Sequence, residues 1–233
     1  MAAHRRASAV PCRPEAGQVS PTMPAPALWY FDVISPFAHL ALTRLGAIRE
    51  QRPVVLKPIV FGGVLKAWGQ LGPAEVAPKR VHTYRLSTHL AQAMGVPFRF
   101  PPAHPFNPLA MLRLLTALDG SEAAITAAFR LVWGEGREAN DPQVLEEVAD
   151  AAGRPDALAL IGEPAVKARL RQATEEAIAA GVFGVPSLVI DGEVFWGVDA
   201  MPMALDYLAD PMAFRSGEMA RVSTLPEGIQ RQR

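Results

Sequence analysis

A chain of 233 residues, half of them apolar, is long enough to bury one substantial hydrophobic core. Its 23 basic and 23 acidic residues balance, so its charge favours neither nucleic acid nor a membrane surface as a partner. No apolar run approaches the roughly 20 residues of a membrane-spanning helix.

The single cysteine, Cys12, lies in an irregular N-terminal segment. It excludes an intramolecular disulfide and Cys-x-x-Cys chemistry, so we expect a reducing, cytoplasmic environment. Residues 1–26 are rich in Ala, Pro, Arg and Ser, show no helical or strand period and contain no secretory apolar region. We expect them to form a disordered tail, with translation from Met23 as an alternative start.

The first regular elements are predicted as a strand, a turn and a helix. Residues 28–41, LWYFDVISPFAHLA, begin with an aromatic-rich apolar run that ends at Asp32. A helical pattern follows Ser35, with proline in the first-turn position that it favours. The pattern predicts a helix over 36–51 and then a buried parallel strand over 54–61, VVLKPIVF, reached by a β-α-β crossover.

The next segment, from residue 69 to residue 162, carries its apolar residues mainly at helical spacing. It is therefore predicted to be a helical insertion. The predicted helices lie over 77–94, 108–118, 121–133, 142–152 and 156–161.

A long helix over 164–180 is predicted to return the chain to a Gly-Val-Pro-Ser turn. Two short β runs follow, joined by a hairpin turn at Asp191 and Gly192, and a last helix is predicted over 201–209. The segment 213–233 shows no period, so we expect a flexible C-terminal tail there.

Five motifs occur in one order along residues 28–209, namely FDVISPFAHLA, GQLGPAEVAPK, VPFRFP followed by FNP, VWGEG, and FGVPSLVIDGEVFWGVD. They resemble the motifs of the 2-hydroxychromene-2-carboxylate isomerases and the related kappa-class glutathione transferases, a DsbA-like branch of the thioredoxin-like fold. In that branch a Ser-Pro-aromatic turn replaces Cys-x-x-Cys. The resemblance therefore implies a protein that forms no disulfide and activates the thiol of bound glutathione.

The same resemblance implies the fold class, which is α/β, a thioredoxin-like fold with a large all-helical insertion. Residues 27–68 and 163–212 would form the thioredoxin-like domain. Residues 69–162 would form the inserted helical domain.

Ser35 is the predicted catalytic residue. Backbone N–H groups at a helix start carry partial positive charge and favour an anion, including a thiolate. The Ser35 hydroxyl can donate a charge-assisted hydrogen bond worth roughly 1.5–3 kcal/mol, enough to lower a thiol pKa near 8.5 by about one to two units. The alternative is that Ser35 is only a helix N-cap. No Gly-x-Ser-x-Gly elbow surrounds it, which disfavours a serine hydrolase.

The resemblance also assigns the residues that bind glutathione. It implies a cis peptide bond between Val185 and Pro186, with the Val185 backbone paired to the cysteinyl part of glutathione, as in strand addition. It brings Lys79 to the ligand, gives Asp199 the γ-glutamyl ammonium, and sets Gln70 where relatives usually have Asn. The alternatives are an ordinary trans proline, a solvated lysine, and Asp199 as the N-cap of the last helix.

Candidate residues of the substrate pocket follow from the same motifs. They are Phe37, His39, Asn107, Trp133 and Trp196. His39 lies one helical turn after Ser35, where relatives often have Tyr or Trp, and a proton relay is one hypothesis for it. Packing in the core is the alternative for His39 and for Trp133.

No metal site is predicted, because His82, His89 and His104 show no metal-ligand grouping with cysteines or carboxylates. Glutathione is the cofactor that the resemblance implies. It also implies a homodimer and a small aromatic substrate, with no nucleic-acid or membrane partner.

The activity that the resemblance implies is a glutathione-dependent isomerisation in aromatic catabolism. It would interconvert 2-hydroxychromene-2-carboxylate and trans-o-hydroxybenzylidenepyruvate through a transient thiolate adduct, in which a double bond becomes single and can rotate. The first alternative is a kappa-like glutathione transferase or peroxidase. The second is a non-catalytic thioredoxin-like binding protein that uses the same groove for a peptide.

Overall fold

The computed structural model describes residues 24–229, so Cys12 and most of the predicted N-terminal tail lie outside the described residues. Its centre is a four-stranded mixed sheet. The strands are β1 (Ala27–Phe31), β2 (Val54–Pro58), β3 (Ser187–Ile190) and β4 (Glu193–Trp196), in the order β2-β1-β3-β4. This is the thioredoxin-like α/β arrangement that the sequence predicted.

The sheet is mixed because only its first two strands run parallel. β1 pairs in parallel with β2, with Trp29 opposite Leu56, and antiparallel with β3, with Trp29 opposite Leu188. β3 and β4 form the predicted hairpin, in which Asp191 and Gly192 have φ angles of 51° and 89°. Positive φ at both turn residues is typical of the tight turns that suit strand twist.

The central strand β1 is apolar throughout because both of its faces are buried. Trp29 and Phe31 face one hydrophobic core, where they stack on each other at 4.7 Å between ring centroids. Tyr30 faces a second, smaller core with Val64 and Ala177. An alternation of side chains between two covered faces explains the continuous apolar run in the sequence.

The single helix predicted over 36–51 is wrong, since the structure has two helices, α1 (Pro36–Leu42) and α2 (Leu45–Arg49). The break lies where the hydroxyl of Thr43 donates to the carbonyl of Leu40 at 2.7 Å. The N–H of Arg44 also bonds only three residues back, to Ala41. Both bonds compete with the regular helical ladder.

The strand predicted over 54–61 ends early, at Pro58, and a helix that the sequence did not predict follows, α3 (Phe61–Trp68). The chain leaves the sheet because its next backbone N–H groups donate to side chains and not to a neighbouring strand. The N–H of Val60 donates to the Thr174 hydroxyl at 3.0 Å, and the N–H of Phe61 donates to the Asp32 carboxylate at 2.9 Å.

The remaining predicted helices are confirmed to within a few residues, although two of them differ in type. Residues Arg130–Gly134 close the predicted helix over 121–133 as a π-helical turn, and Pro155–Leu160 form a 3-10 helix. The α-helices are α4 (Ala77–Met94), α5 (Leu109–Ala117), α6 (Glu122–Phe129), α7 (Pro142–Ala151), α8 (Pro164–Ala179) and α9 (Met201–Ala209).

The helical insertion and the sheet share one hydrophobic core. The ring of Phe129 on α6 lies 5.6 Å from that of Phe31 on β1, and the core continues through Leu112 on α5 and Val144 on α7. The division of the chain into two domains stays a prediction. Within the described residues no helix is long and apolar enough to cross a membrane.

The C-terminal segment contains regular structure where the sequence showed no period. A 3-10 turn over Ala213–Arg215 precedes a short helix, α10 (Gly217–Val222). The ring of Phe214 packs against Tyr207 at 5.2 Å and Phe195 at 6.0 Å. One aromatic anchor therefore attaches the start of this segment to the core, and flexibility beyond it stays a prediction.

Candidate active site

Ser35 and the Val185-Pro186 turn meet at the N-terminal end of α1. The Ser35 hydroxyl accepts the N–H of Ala38 at 3.3 Å, so Ser35 is the N-cap of α1. The same hydroxyl donates to the carbonyl of Val185 at 3.4 Å across 150 residues of sequence. The Val185-Pro186 bond is cis, as predicted. Ser35 therefore caps α1 and also contacts the residue that precedes the cis proline.

Three hydrogen bonds to backbone carbonyls hold the turn over 32–35 that presents this serine. The N–H of Ser35 donates to the carbonyl of Asp32 at 3.1 Å. The indole Nε1 of Trp133 donates to the carbonyl of Val33 at 2.7 Å, and Nε2 of His104 lies 2.9 Å from the carbonyl of Ile34. The helical insertion therefore supports the turn through two aromatic side chains.

Asp32 is a buried acid directly beneath the turn, which the sequence analysis did not single out. Its Oδ1 accepts the N–H of Ile34 at 3.0 Å and its Oδ2 accepts the N–H of Phe61 at 2.9 Å. Burial raises the pKa of Asp32 to about 7, although both backbone hydrogen bonds act to lower it. The signal in the sequence was a lone acidic residue that ends an aromatic, apolar strand.

The backbone of Val185 is available for an extended ligand. Its N–H makes no hydrogen bond with any residue in 24–229, while its carbonyl accepts only the weak contact from Ser35. The next carbonyl, that of Pro186, accepts the N–H of Gly197 at 2.9 Å, which fixes the cis-proline turn to the end of β4. An unpaired N–H beside a strand end is the group that strand addition requires.

Trp196 is an exposed aromatic residue beside this turn. Half of its surface is accessible, and its ring meets that of Phe183 edge to face at 5.2 Å. A Cβ atom at Gly184 would lie 2.3 Å from the Trp196 Nε1, so any larger residue there would force the indole to move. Of the predicted pocket residues, Trp196 and the half-buried Phe37 stay candidates.

The predicted ligands Gln70, Lys79 and Asp199 are exposed, and their side chains have no hydrogen bond or ion pair within 24–229. The alternative for Asp199 is wrong, since Ala200 is the N-cap of α9 and no side chain caps that helix. Lys79 lies in the first turn of α4, which packs against α1. Their roles toward a ligand stay predictions.

His39 packs in the core, which was the alternative for it, and a role toward a substrate stays a prediction. It is buried, and its ring lies 6.1 Å from that of Phe98 and 6.2 Å from that of Phe129. Nε2 lies 3.0 Å from the carbonyl of Pro97 and therefore carries the proton, while Nδ1 has no partner among the described residues. Burial lowers the pKa of His39. Among the described residues its imidazole makes no hydrogen bond to Ser35, and the two residues are joined only by the backbone N–H of His39 and the carbonyl of Ser35 at 3.4 Å, so the structure shows no path for a proton relay.

Trp133 and Asn107, two further residues of the predicted pocket, make contacts that stabilise the fold, and their roles toward a substrate stay predictions. Trp133 is completely buried and stacks on Phe98 at 5.8 Å, so it supports the turn from inside the core. Asn107 is exposed, and its Oδ1 accepts the N–H of Leu109 at 3.0 Å at the start of α5. Asn107 therefore organises a helix start. No cluster of three His, Cys, Asp or Glu side chains that could hold a metal occurs in the described part of the chain.

Comparison with known proteins agrees with this geometry. Residues 28–209 match the family described as a DsbA-like thioredoxin domain. A 2-hydroxychromene-2-carboxylate isomerase from Sphingobium xenophagum is 32% identical over 78% of this chain and 97% of that protein. Glutathione S-transferase kappa 2 from Caenorhabditis elegans is 28% identical over 78% of this chain and 91% of that protein.

Among solved structures, a 2-hydroxychromene-2-carboxylate isomerase superposes with a TM-score of 0.68. It is 25% identical in sequence and covers 83% of this chain and 100% of its own. These similarities extend over both parts of the sheet and over the helical insertion between them. The chain is therefore an enzyme of the DsbA-like thioredoxin family, in the branch that contains the 2-hydroxychromene-2-carboxylate isomerases and the kappa-class glutathione transferases.

Proposed function

We propose that this protein is a glutathione-dependent isomerase that interconverts 2-hydroxychromene-2-carboxylate and trans-o-hydroxybenzylidenepyruvate. The observation that carries the proposal is the position of the Ser35 hydroxyl, 3.4 Å from the carbonyl of Val185, whose N–H is unpaired among the described residues. One hydroxyl donor and one free backbone edge meet where a thiol-bearing peptide would lie. The isomerase relative that is 32% identical favours this substrate.

The chain carries groups that suit each part of a bound glutathione. The N–H and carbonyl of Val185 can pair with the backbone of the cysteinyl residue. The carboxylate of Asp199 has no partner among the described residues and suits an ammonium group. Asp199 lies two residues after Gly197, whose N–H donates to the carbonyl of Pro186. Lys79 and Gln70 would complete the site with one positive charge and one amide.

Ser35 would stabilise the ionised form of a bound thiol. Its contact with Val185 is long for an O–H donor, so turning the hydroxyl toward a sulfur sacrifices little hydrogen-bond energy. The N–H of Phe37, in the first turn of α1, has no acceptor among residues 24–229. It therefore contributes partial positive charge at this helix end. The break in the predicted helix after Leu42 changes this little, because the effect of a helix end comes mainly from its terminal turn.

Glutathione, when bound, supplies the nucleophilic sulfur whose reversible addition to a conjugated carbon allows rotation about a former double bond. The protein supplies orientation and electrostatic stabilisation at the mouth of α1. Exposed Trp196, with Phe183 beside it, offers an aromatic surface for a flat substrate. A homodimer and a cytoplasmic location are part of the proposal by analogy with the family.

The second candidate function is transfer of glutathione to an electrophile, which the kappa-class relatives favour. It uses the same sulfur and differs in the fate of the glutathione. A third candidate, a binding protein without turnover, would use only the free edge of Val185.

Product analysis distinguishes these functions. The enzyme is incubated with 2-hydroxychromene-2-carboxylate, with and without glutathione, and both the trans product and free glutathione are measured. Isomerisation predicts product formation only with glutathione, and free glutathione that stays constant over many turnovers. A conjugate that accumulates as glutathione disappears would establish transfer. If neither the trans product nor a conjugate forms, with or without glutathione, the binding protein is the remaining candidate.

A further inference from the structure

The imidazole of His104 bridges the Ser35 turn and a tyrosine of α4. Its Nε2 lies 2.9 Å from the carbonyl oxygen of Ile34, and its Nδ1 lies 2.8 Å from the hydroxyl of Tyr84. That hydroxyl also lies 2.6 Å from the backbone carbonyl of His104. Three short contacts thus depend on the protons of one imidazole and one hydroxyl.

Neither neutral form of His104 satisfies all three contacts. With the proton on Nε2, the bond to Ile34 forms, but the Tyr84 hydroxyl faces two acceptors, Nδ1 and the His104 carbonyl, with one proton. With the proton on Nδ1, both Tyr84 contacts form, but the bare Nε2 faces the Ile34 carbonyl at 2.9 Å. Only the doubly protonated ring gives every contact one donor and one acceptor.

We propose that His104 keeps a proton on both ring nitrogens, donating from Nδ1 to Tyr84 and from Nε2 to Ile34, and so places a positive charge behind the turn that carries Ser35. Tyr84 completes the network by donating its own proton to the His104 carbonyl. His104 then acts as a positioning residue that also contributes charge, because it reaches the site through the peptide that precedes Ser35.

The surroundings of the ring contain few other charges. Aromatic rings enclose it, and burial lowers the pKa of His104, although the hydrogen bond to Ile34 partly opposes this shift. From α4, Tyr84 faces the ring directly, and desolvation raises the pKa of Tyr84 while the charge of Arg80 lowers it. Tyr84 therefore keeps its proton and can donate. Among residues 24–229 no carboxylate pairs with the ring, so the hydrogen-bond network alone opposes the cost of burial.

The consequence for chemistry rests on the proposed function. A positive charge one peptide away from Ser35 would stabilise a thiolate at the mouth of α1 and would itself be stabilised by that thiolate. Two groups that stabilise each other in this way titrate as a pair. Binding of glutathione should therefore raise the pKa of His104, and loss of the imidazolium should raise the pKa of the bound thiol.

The decisive test is the direction in which Tyr84→Phe shifts the pKa of His104. The titration is monitored by ¹⁵N NMR of the histidine ring nitrogens in the protein without glutathione. If Nδ1–H donates to Tyr84, removal of the hydroxyl removes an acceptor and should weaken proton binding by His104 about tenfold. If Tyr84 instead donates to a bare Nδ1, the same change should strengthen proton binding. A pKa that rises or stays constant in Tyr84→Phe would overturn the proposal.

Tyr207→Phe is the matched control, since it removes the hydroxyl of a buried tyrosine whose ring packs against Phe195 and Phe214. It should leave the titration of His104 unchanged, as should His89→Gln on the exposed side of α4. A second readout uses only the wild-type protein. The pKa of His104 should rise when glutathione is added, and a constant pKa in a saturated complex would overturn the electrostatic role. Failure of glutathione to bind would contradict the proposed function, while the ¹⁵N spectra and the Tyr84→Phe shift, both measured without glutathione, would still test the charge of His104.

Discussion

The carboxylate of Asp32 joins the Ser35 turn to the start of α3, because its Oδ2 accepts the N–H of Phe61 at 2.9 Å while its Oδ1 accepts the N–H of Ile34 at 3.0 Å. The chain therefore leaves the sheet at a position fixed by the residue that also shapes the turn. Because this acid is buried and has no cationic partner in the described part of the chain, its charge state links the site to pH.

Asp32 should make the protein less stable as the pH rises from about 4 to about 7. Burial raises its pKa from 3.8 to about 7 in the folded chain, so in this window the folded state binds a proton that the unfolded state has lost. The free energy of unfolding should therefore fall by about 1.4 kcal/mol per pH unit, relative to a variant without this acid. Denaturant unfolding of the wild type and Asp32→Asn across this range measures the difference.

Asp206→Asn, on the exposed surface of α9, provides the reference for general charge effects. Its stability should follow that of the wild type at every pH. Parallel pH profiles for the wild type and Asp32→Asn would contradict the raised pKa of Asp32.

Trp133→Phe should destabilise the protein mainly by leaving the carbonyl of Val33 without its donor. The indole N–H lies 2.7 Å from that carbonyl in a completely buried site, and an unsatisfied buried acceptor costs about 1–3 kcal/mol. Trp68→Phe is the matched control, since Trp68 donates to the carbonyl of Val182 at 2.9 Å but is 45% exposed. Chemical denaturation should show a clearly larger loss for Trp133→Phe, and equal losses would mean that Val33 does not depend on this bond.

Asp199→Asn should weaken glutathione binding and leave stability unchanged. The carboxylate is exposed and neither caps α9 nor pairs with a described residue, so its removal disturbs no internal contact. Loss of an exposed ion pair with the γ-glutamyl ammonium should cost about 1 kcal/mol, or about fivefold in Kd. Asp206→Asn makes the same change of charge on α9. Calorimetric titration of both variants with glutathione should show weaker binding only for Asp199→Asn. Equal affinities would remove Asp199 from the site.

Local sequence signals predicted the strands, apart from the early end of β2, and the hairpin. Each depends on a few adjacent residues, such as the Asp191-Gly192 turn with its two positive φ angles. The family resemblance implied a cis proline that faces the helix mouth at Ser35, and the structure confirms the cis bond and the contact between Val185 and Ser35.

The supports of the site could not be read from local patterns. Trp133 reaches Val33 across 100 residues and His104 reaches Ile34 across 70, and neither pairing leaves a periodic signal in the sequence. The start of α3 was missed for a similar reason, because the side chains of Thr174 and Asp32 bind the amides that a longer strand would have used. Tertiary contacts here override local propensity.

Ser35→Ala should retain the fold while losing most of the activity. Loss of the cap on α1 should cost about 1 kcal/mol of stability, and loss of the hydrogen bond to sulfur, roughly 1.5–3 kcal/mol, should lower the rate about 10- to 150-fold. Asp141→Ala removes a comparable cap, whose Oδ1 accepts the N–H of Gln143 at 2.9 Å on α7. That variant should lose similar stability and retain its activity, so a similar loss of rate in both would assign the effect to folding.

The most direct test of the central claim is the number of protons released when glutathione binds at pH 7, measured by calorimetry in buffers of different ionisation enthalpy. S-methylglutathione, which has no thiol proton, provides the baseline for every other group that titrates. If Ser35 lowers the thiol pKa from about 8.5 by about one to two units, glutathione should release about 0.2 to 0.7 proton above that baseline, and Ser35→Ala should release much less. Equal proton release by glutathione and S-methylglutathione in the wild type would contradict the account of Ser35 as a thiolate-stabilising residue.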